Sequence, residues 1–171
     1  MSLTISANDA RALKLMAFDV DGVLTDGRLY YGADGETLKV FHTLDGHGLK
    51  KLAASGVTLA LITGRDTPMV ARRARELGID HVIQGREDKG VALADLAASL
   101  DVAARETGYA GDDEPDVPAL QWAQIAFAPA NGHQCARDAA DHVTRARGGE
   151  GAVRGICDAL LAHRGDAWSD R

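Results

Sequence analysis

The chain reads as an α/β protein in which a parallel β-sheet is covered by helices on both faces. Three observations predict it. Runs of strand length alternate with stretches of helical spacing along the sequence, the pattern of successive βαβ units. The strongest runs are apolar throughout and bounded by turn formers, as expected of strands buried on both faces. Several of them end in Asp or Thr, which places polar loops at the carboxyl edge of the sheet, where open α/β sheets bind ligands.

Residues 1–12 read as a short arm or helical lead-in, and Leu13 to Phe18 as the first strand, delivering Asp19, Val20, Asp21 and Gly22. Residues 28–42 alternate around Gly32-Ala33-Asp34-Gly35, with Tyr30 and Tyr31 before the turn and Leu38, Val40 and Phe41 after it. That is a hairpin signal. Asp45 and Gly46 open a helix with Leu49, Leu52 and Ala53 on one face, stopped by Gly56. A second strand, Thr58 to Ile62, runs into Thr63-Gly64-Arg65. The helix Pro68 to Leu77 has proline in its first turn and Gly78 after its end. His81 to Ile83 is a third strand, and Asp88 caps a helix from Lys89 to Leu100. Thr107 to Ala110, a fourth strand, leads into Gly111-Asp112-Asp113. A short helix over Pro118 to Gln121 precedes a fifth strand, Ile125 to Ala128, then a helix over Gln134 to Ala140 and a strand fragment at His142-Val143. The last helix, Ala152 to His163, turns Val153, Ile156, Leu160 and Leu161 inward. Gly148-Gly149-Glu150-Gly151 reads as a hinge before a C-terminal tail.

At 171 residues the size prior is one domain spanning residues 1–171. An apolar fraction of 46% with 26% charged residues is that of an ordinary globular protein. The net charge of −6 disfavours nucleic acid or an anionic membrane as partner. Cys135 and Cys157 stand far apart with no CxxC spacing, so neither a zinc site nor a disulfide framework is indicated. With no apolar segment of signal-peptide or membrane-span length, the expectation is a soluble cytoplasmic protein.

Asp19 and Asp21 lie two residues apart at a strand end, and two like charges so placed invite a divalent counter-ion. Thr63 ends the second strand, Lys89 opens the helix after the third, and Asp112, Asp113 and Asp116 follow the fourth. Singly, each has a bland explanation: a turn cap for the DxD, a helix cap for Thr63, a solvated surface lysine, a charged turn. In a parallel sheet all four loops share one edge. The six histidines show no HxH or HExxH pattern; His42 and His47 are the two placed near a substrate.

FDVDGVLTDG resembles the first signature of the haloacid-dehalogenase (HAD) phosphatases, ITGR the second, DKG the third and GDDEPD the fourth. Thr63 follows Asp19 by 44 residues and Lys89 follows Thr63 by 26, which leaves room for the hairpin and one helix, then a helix and a strand, and none for a cap domain. The fold expected is therefore a Rossmann-like HAD fold with a small β-hairpin insertion. Within the capless members, DGRLYY, LKVFHTLDGHGLKKL and RGGEGAVRGICDALL resemble the 3-deoxy-D-manno-octulosonate 8-phosphate (KDO 8-phosphate) phosphatases over nearly the entire chain.

That resemblance implies an Mg²⁺-dependent phosphatase of lipopolysaccharide precursor synthesis, working through an aspartyl phosphate on Asp19 with Asp21 as acid and base. It implies Asp19, Asp21 and Asp112 as metal ligands, with Asp113 and Asp116 in support. Substrate contacts are implied for Asp21, His42, Thr43, Leu44, Asp45, Gly46, Lys50, Thr63, Gly64, Arg65, Arg73 and Lys89. It also implies a homotetramer whose neighbours cover the site. Leu44 departs from the pattern, since many relatives carry a basic residue there. Pro115 departs too, at a position often held by Asn or a small residue, and Gly46-His47-Gly48 is a local variant. The alternatives are a phosphatase for a nine-carbon sugar acid 9-phosphate and a non-catalytic oligomerisation module. A phosphoacceptor receiver domain is disfavoured, because Gln84-Gly85, not Asp, follows the third strand.

Overall fold

The computed structural model describes residues 5–164. Six parallel strands form one sheet: β1 (Leu15–Phe18), β4 (Thr58–Ile62), β5 (His81–Ile83), β6 (Thr107–Ala110), β7 (Ile125–Ala128) and β8 (His142–Val143). Their order is β5-β4-β1-β6-β7-β8, with β1 central and the order reversing beside it. Side chains alternate across the strand, so each face of β1 feeds its own core. Met16 and Phe18 pack with α1 (Ala7–Ala12), α2 (Thr43–Ala54), α3 (Pro68–Leu77) and α7 (Ala152–Arg164). Leu15 and Ala17 pack with α4 (Lys89–Ser99), α5 (Val117–Trp122) and α6 (Gln134–Ala139). A separate antiparallel pair, β2 (Tyr30–Gly32) and β3 (Gly35–Leu38), is the hairpin. Only this hairpin and α2 lie between β1 and β4, so no cap domain stands there.

Some expected boundaries and faces differ, each for a local reason. The first strand starts at Leu15 because Leu13 closes α1, whose N-cap Ser6 accepts from Asp9 N through its Oγ. Residues 1–4 of the expected lead-in lie outside the described residues. The hairpin strand ends at Leu38, leaving Val40 and Phe41 beyond the pairing. Helix α2 begins at Thr43 rather than Asp45, because His42 caps it: its Nδ1 accepts from Leu44 N at 3.1 Å. Ala53 faces outward while Leu49 and Leu52 are buried. Asp88 holds the N-cap position of α4 without a side-chain cap bond. Its carboxylate is instead engaged by Arg86 at 2.6 and 2.8 Å.

Gly148 to Gly151 is not a slack hinge. A Cβ on Gly148 would lie 1.7 Å from the Gly22 carbonyl oxygen, and Gly149 N donates to Val23 O at 3.1 Å. Glycine is required here by close backbone approach to the loop that follows Asp21. Beyond it, α7 is a core helix with Val153, Ile156, Cys157 and Leu160 at most 1% exposed.

Candidate active site

The carboxyl edge of the sheet opens into a cleft of about 330 Å³ lined by Asp19, Asp21, Thr63, Gly64, Arg65, Lys89, Asp112, Asp113 and Asp116, among others. The parallel register accounts for the convergence. Asp19 N donates to Ala110 O, so the residue after β1 is still zipped to β6, and Thr63 N donates to Ile83 O in the same way. Chain segments nearly a hundred residues apart therefore deliver their first loop residues to one place.

Lys89, the first residue of α4, is the central cation. Its Nζ donates to Asp19 Oδ1 at 2.7 Å and to Asp116 Oδ1 at 2.8 Å, and all three side chains are buried. Asp116 organises the loop after β6. Oδ1 also accepts from Tyr109 OH at 2.7 Å, and Oδ2 accepts from the backbone N–H groups of Asp112 and Asp113 at 3.0 and 3.1 Å. Asp112 is thereby aimed at the first loop, and Gly22 makes room for it. A Cβ on Gly22, whose φ is +99°, would sit 2.0 Å from Asp112 Oδ2. Asp113 turns away; its carboxylate accepts from Glu114 N and stands 4.0 Å from His133 Nδ1.

Carboxylate oxygens of Asp19, Asp112 and Asp116 lie within 4.8 Å of one another, with one ammonium among them. The imbalance shows in their proton affinities. Burial first, then the Asp116 and Asp112 carboxylates, push Asp19 well above the ordinary carboxylate range, with Lys89 opposing. Burial and Asp116 raise Asp112 to about 7. Burial alone pulls Lys89 down, but the Asp19 and Asp116 charges outweigh it and hold the ammonium above its usual value. A hard divalent cation is what such a surplus of buried carboxylate oxygens fits, and Mg²⁺ takes this donor type.

The second carboxylate of the DxD is held differently. Asp21 Oδ1 accepts from Lys39 Nζ, which also contacts Glu36 Oε1 at 3.0 Å. Glu36 Oε2 and Tyr31 OH both accept from Arg65 Nη2, at 3.4 and 3.1 Å. Lys39, Glu36 and Tyr109 were missed by sequence reasoning. A lysine or glutamate in an alternating hairpin reads as solvated, and a tyrosine inside a buried strand reads as core.

His42, Thr43, Leu44, Asp45, Gly46, Lys50 and Arg73 do not line this cleft. They gather around the N-terminus of α2. The Arg73 guanidinium stacks over Phe41 at 5.7 Å, and a Cβ on Gly46 would lie 2.4 Å from Arg73 Nη2. Thr43, Leu44 and Lys50 are exposed. Asp45 is buried, its Oδ1 accepting from Arg154 N at 2.8 Å in the first turn of α7.

Residues 81–156 match the family model of haloacid dehalogenase-like hydrolases. The chain is 42% identical over 156 residues to the 3-deoxy-D-manno-octulosonate 8-phosphate phosphatase KdsC of Escherichia coli K12, covering 91% of this chain and 83% of that one. The phosphatase of that name from Moraxella catarrhalis, solved in complex with a magnesium ion, a phosphate ion and a KDO molecule, superposes with a TM-score of 0.90 at 43% identity, covering 92% and 91% of the two chains. The cobalt-bound deoxy-D-mannose-octulosonate 8-phosphate phosphatase of Haemophilus influenzae gives 0.90 at 40% identity, covering 93% of each.

Proposed function

The chain belongs to the 3-deoxy-D-manno-octulosonate 8-phosphate phosphatases among the haloacid dehalogenase-like hydrolases, and on that premise we propose how its residues divide the reaction. It is an Mg²⁺-dependent phosphoric monoester hydrolase of lipopolysaccharide precursor biosynthesis, converting KDO 8-phosphate to KDO and inorganic phosphate. The observation that carries the assignment of roles is the meeting of Asp19, Thr63, Lys89 and Asp112 in one cleft from four separate loops.

Phosphate monoesters hydrolyse very slowly unaided, so catalysis consists of aligning a nucleophile and stabilising charge. Asp19 attacks phosphorus in line and carries the phosphoryl group as an aspartyl phosphate. Lys89 fixes the rotamer of Asp19 through Oδ1, leaving Oδ2 for attack. Asp21 protonates the departing sugar oxygen, then accepts a proton from the water that releases phosphate. Thr63, Lys89 and N–H groups of the loops after β1 and β4 hold the phosphoryl oxygens. Asp116 holds Lys89 and the 112–113 backbone in place, and Asp113 supports the same loop from its rim. The Asp19 carboxylate, the Asp21 backbone carbonyl and Asp112 would hold Mg²⁺, which when bound would supply positive charge that makes a dianionic substrate tolerable beside three carboxylates.

Arg65 and Gly64 flank the phosphate end. The group at the N-terminus of α2, His42 to Gly46 with Lys50 and Arg73, binds the sugar acid, Arg73 being suited to pair with a carboxylate. Because that group does not line the cleft of its own chain, a neighbouring copy in a homotetramer delivers it. Exposed Leu29, Tyr31, Leu38 and Val40 on and beside the hairpin support such an assembly. We read the chain as a single domain acting in the cytoplasm; among the described residues no helix is long and apolar enough to cross a membrane.

Phosphate release from KDO 8-phosphate and from a nine-carbon sugar acid 9-phosphate, each with and without Mg²⁺, tests the reading. The eight-carbon ester is expected to be turned over faster, and EDTA to abolish activity that Mg²⁺ restores. A strong nine-carbon preference, or indifference to chelator, would overturn it.

A further inference from the structure

We propose that Lys39, reaching from the hairpin to Asp21, is a positioning residue for proton transfer to the leaving group, with Glu36 coupling it to Arg65. The proposal rests on the reading of Asp21 as acid and base. Lys39 lies between Leu38 and Val40, each 49% exposed, yet its own side chain is 1% exposed. An ammonium withdrawn from water so completely is costly unless matched by charge. Here the match is Asp21 on one side and Glu36 on the other.

The arrangement selects one oxygen of Asp21. Lys39 donates to Oδ1, while Oδ2 is buried with no hydrogen-bond partner. Lys39 occupies Oδ1, which leaves Oδ2 as the oxygen open to exchange a proton with the leaving group. As the Asp19 oxygen bonds to phosphorus and the phosphorus–sugar oxygen bond breaks, the proton moves from Asp21 Oδ2 to the departing oxygen. In the second half-reaction, Oδ2 takes a proton from the attacking water. Lys39 takes no part in the proton exchange; it holds the carboxyl plane.

The second half of the network makes this a property of the hairpin rather than of one contact. Glu36 Oε2 and Tyr31 OH, on opposite strands, both accept from Arg65 Nη2. Acidic and basic side chains therefore alternate along the contacts Asp21, Lys39, Glu36, Arg65. A hairpin seated on the cleft fixes the proton donor and the arginine after Thr63 together; a hairpin lifted from it releases both.

The test exploits leaving-group chemistry. An alkyl oxygen such as that of KDO needs a proton to depart, whereas 4-nitrophenolate does not. The ratio kcat/KM reports steps only through phosphoryl transfer to Asp19, so it isolates the acid role. For Lys39→Met we expect kcat/KM to fall by about 10²-fold or more on KDO 8-phosphate, and by less than about tenfold on 4-nitrophenyl phosphate. Lys39→Arg should recover part of the loss. Lys39→Gln, which retains a neutral donor, serves the same comparison should the Met variant fail to fold. Equal losses on both esters, as from a structural role alone, would overturn the proposal, as would unchanged kinetics. Asp21→Asn run in parallel separates the two levels of the argument. A leaving-group split in Asp21→Asn but not in the Lys39 variants defeats Lys39 alone, and no split in Asp21→Asn defeats the acid assignment beneath it.

Discussion

Asp19 is buried and Asp112 half-buried beside a third carboxylate, Asp116, and two outcomes follow from it. Asp19→Asn keeps the shape and loses the nucleophile, so turnover is expected to fall by more than about 10³-fold. Thermal unfolding without Mg²⁺ should be unchanged or shifted upward, because one of three crowded carboxylates loses its charge. Near-normal phosphate release would contradict the mechanism. The second outcome concerns pH. Burial and the Asp116 carboxylate push Asp112 up to about 7, so at lower pH a proton competes with the cation. The apparent Mg²⁺ Kd, measured by calorimetry, should rise as pH falls below about 7, by about tenfold per unit for each proton displaced. For stability the sign runs the other way. Between about pH 4 and 7 the native metal-free state binds a proton that the unfolded chain has released. Metal-free protein should therefore lose stability as pH rises through that window, and Mg²⁺ should restore it. At this scale the sequence was legible where residues stand at strand ends in signature strings: Asp19, Thr63, Lys89 and Asp112 all line the cleft. It was not legible for Lys39, whose burial depends on a hairpin folding back over the cleft. Nor did it distinguish Asp116, a hub with four donors, from Asp113 at the rim.

Among the elements, β4, β6, β7 and α3 match the reading closely because burial on both faces and a Pro-to-Gly bracket leave few alternatives. The 148–151 segment was misread because four small or polar residues look the same whether they flex or pack. Two variants separate these possibilities. Truncation after Arg147 removes α7 and with it Val153, Ile156, Cys157, Leu160 and Leu161 from one of the two cores. It also strips Asp45 of its backbone partner at Arg154. Each large aliphatic side chain contributes about 1.5–3 kcal/mol by burial, so the truncated chain is expected to be unfolded by circular dichroism rather than folded and slow. Gly148→Ala is the finer probe. Its Cβ would meet the Gly22 carbonyl, and overpacking of this kind costs about 1–3 kcal/mol. The strain falls on the loop carrying Asp21. The expected result is a folded protein with a lower kcat; a folded protein of normal kcat would show that the two loops can part without consequence.

For the molecule as a whole, one sheet edge gathers the reacting groups, while the cluster around Arg73 stands apart from them. If, as proposed, that cluster binds the sugar acid, the open cleft is a half-site, and a second copy is the economical way to complete it. The hairpin has the surface for association: Leu29, Tyr31, Leu38 and Val40 are 44–62% exposed. It is also the element that grips Asp21 and Arg65. In the proposed assembly the hairpin would couple association to proton transfer, since a hairpin packed against other hairpins cannot lift from its own cleft. On the proposed homotetramer, Leu38→Lys with Val40→Lys should lower the sedimentation coefficient from that of a tetramer toward that of a monomer, because several like charges would meet at the contact. The dissociated form should lose kcat/KM on KDO 8-phosphate far more than on 4-nitrophenyl phosphate, having lost both the neighbour's sugar contacts and the fixed proton donor. Adding back tetramer bearing Asp19→Asn offers a complementation test. If mixed assemblies form, it restores neighbours without restoring nucleophiles, and activity should recover with the fraction of such assemblies. A fully active monomer would show that each chain completes its own site, and the division of labour between the two clusters would have to be abandoned.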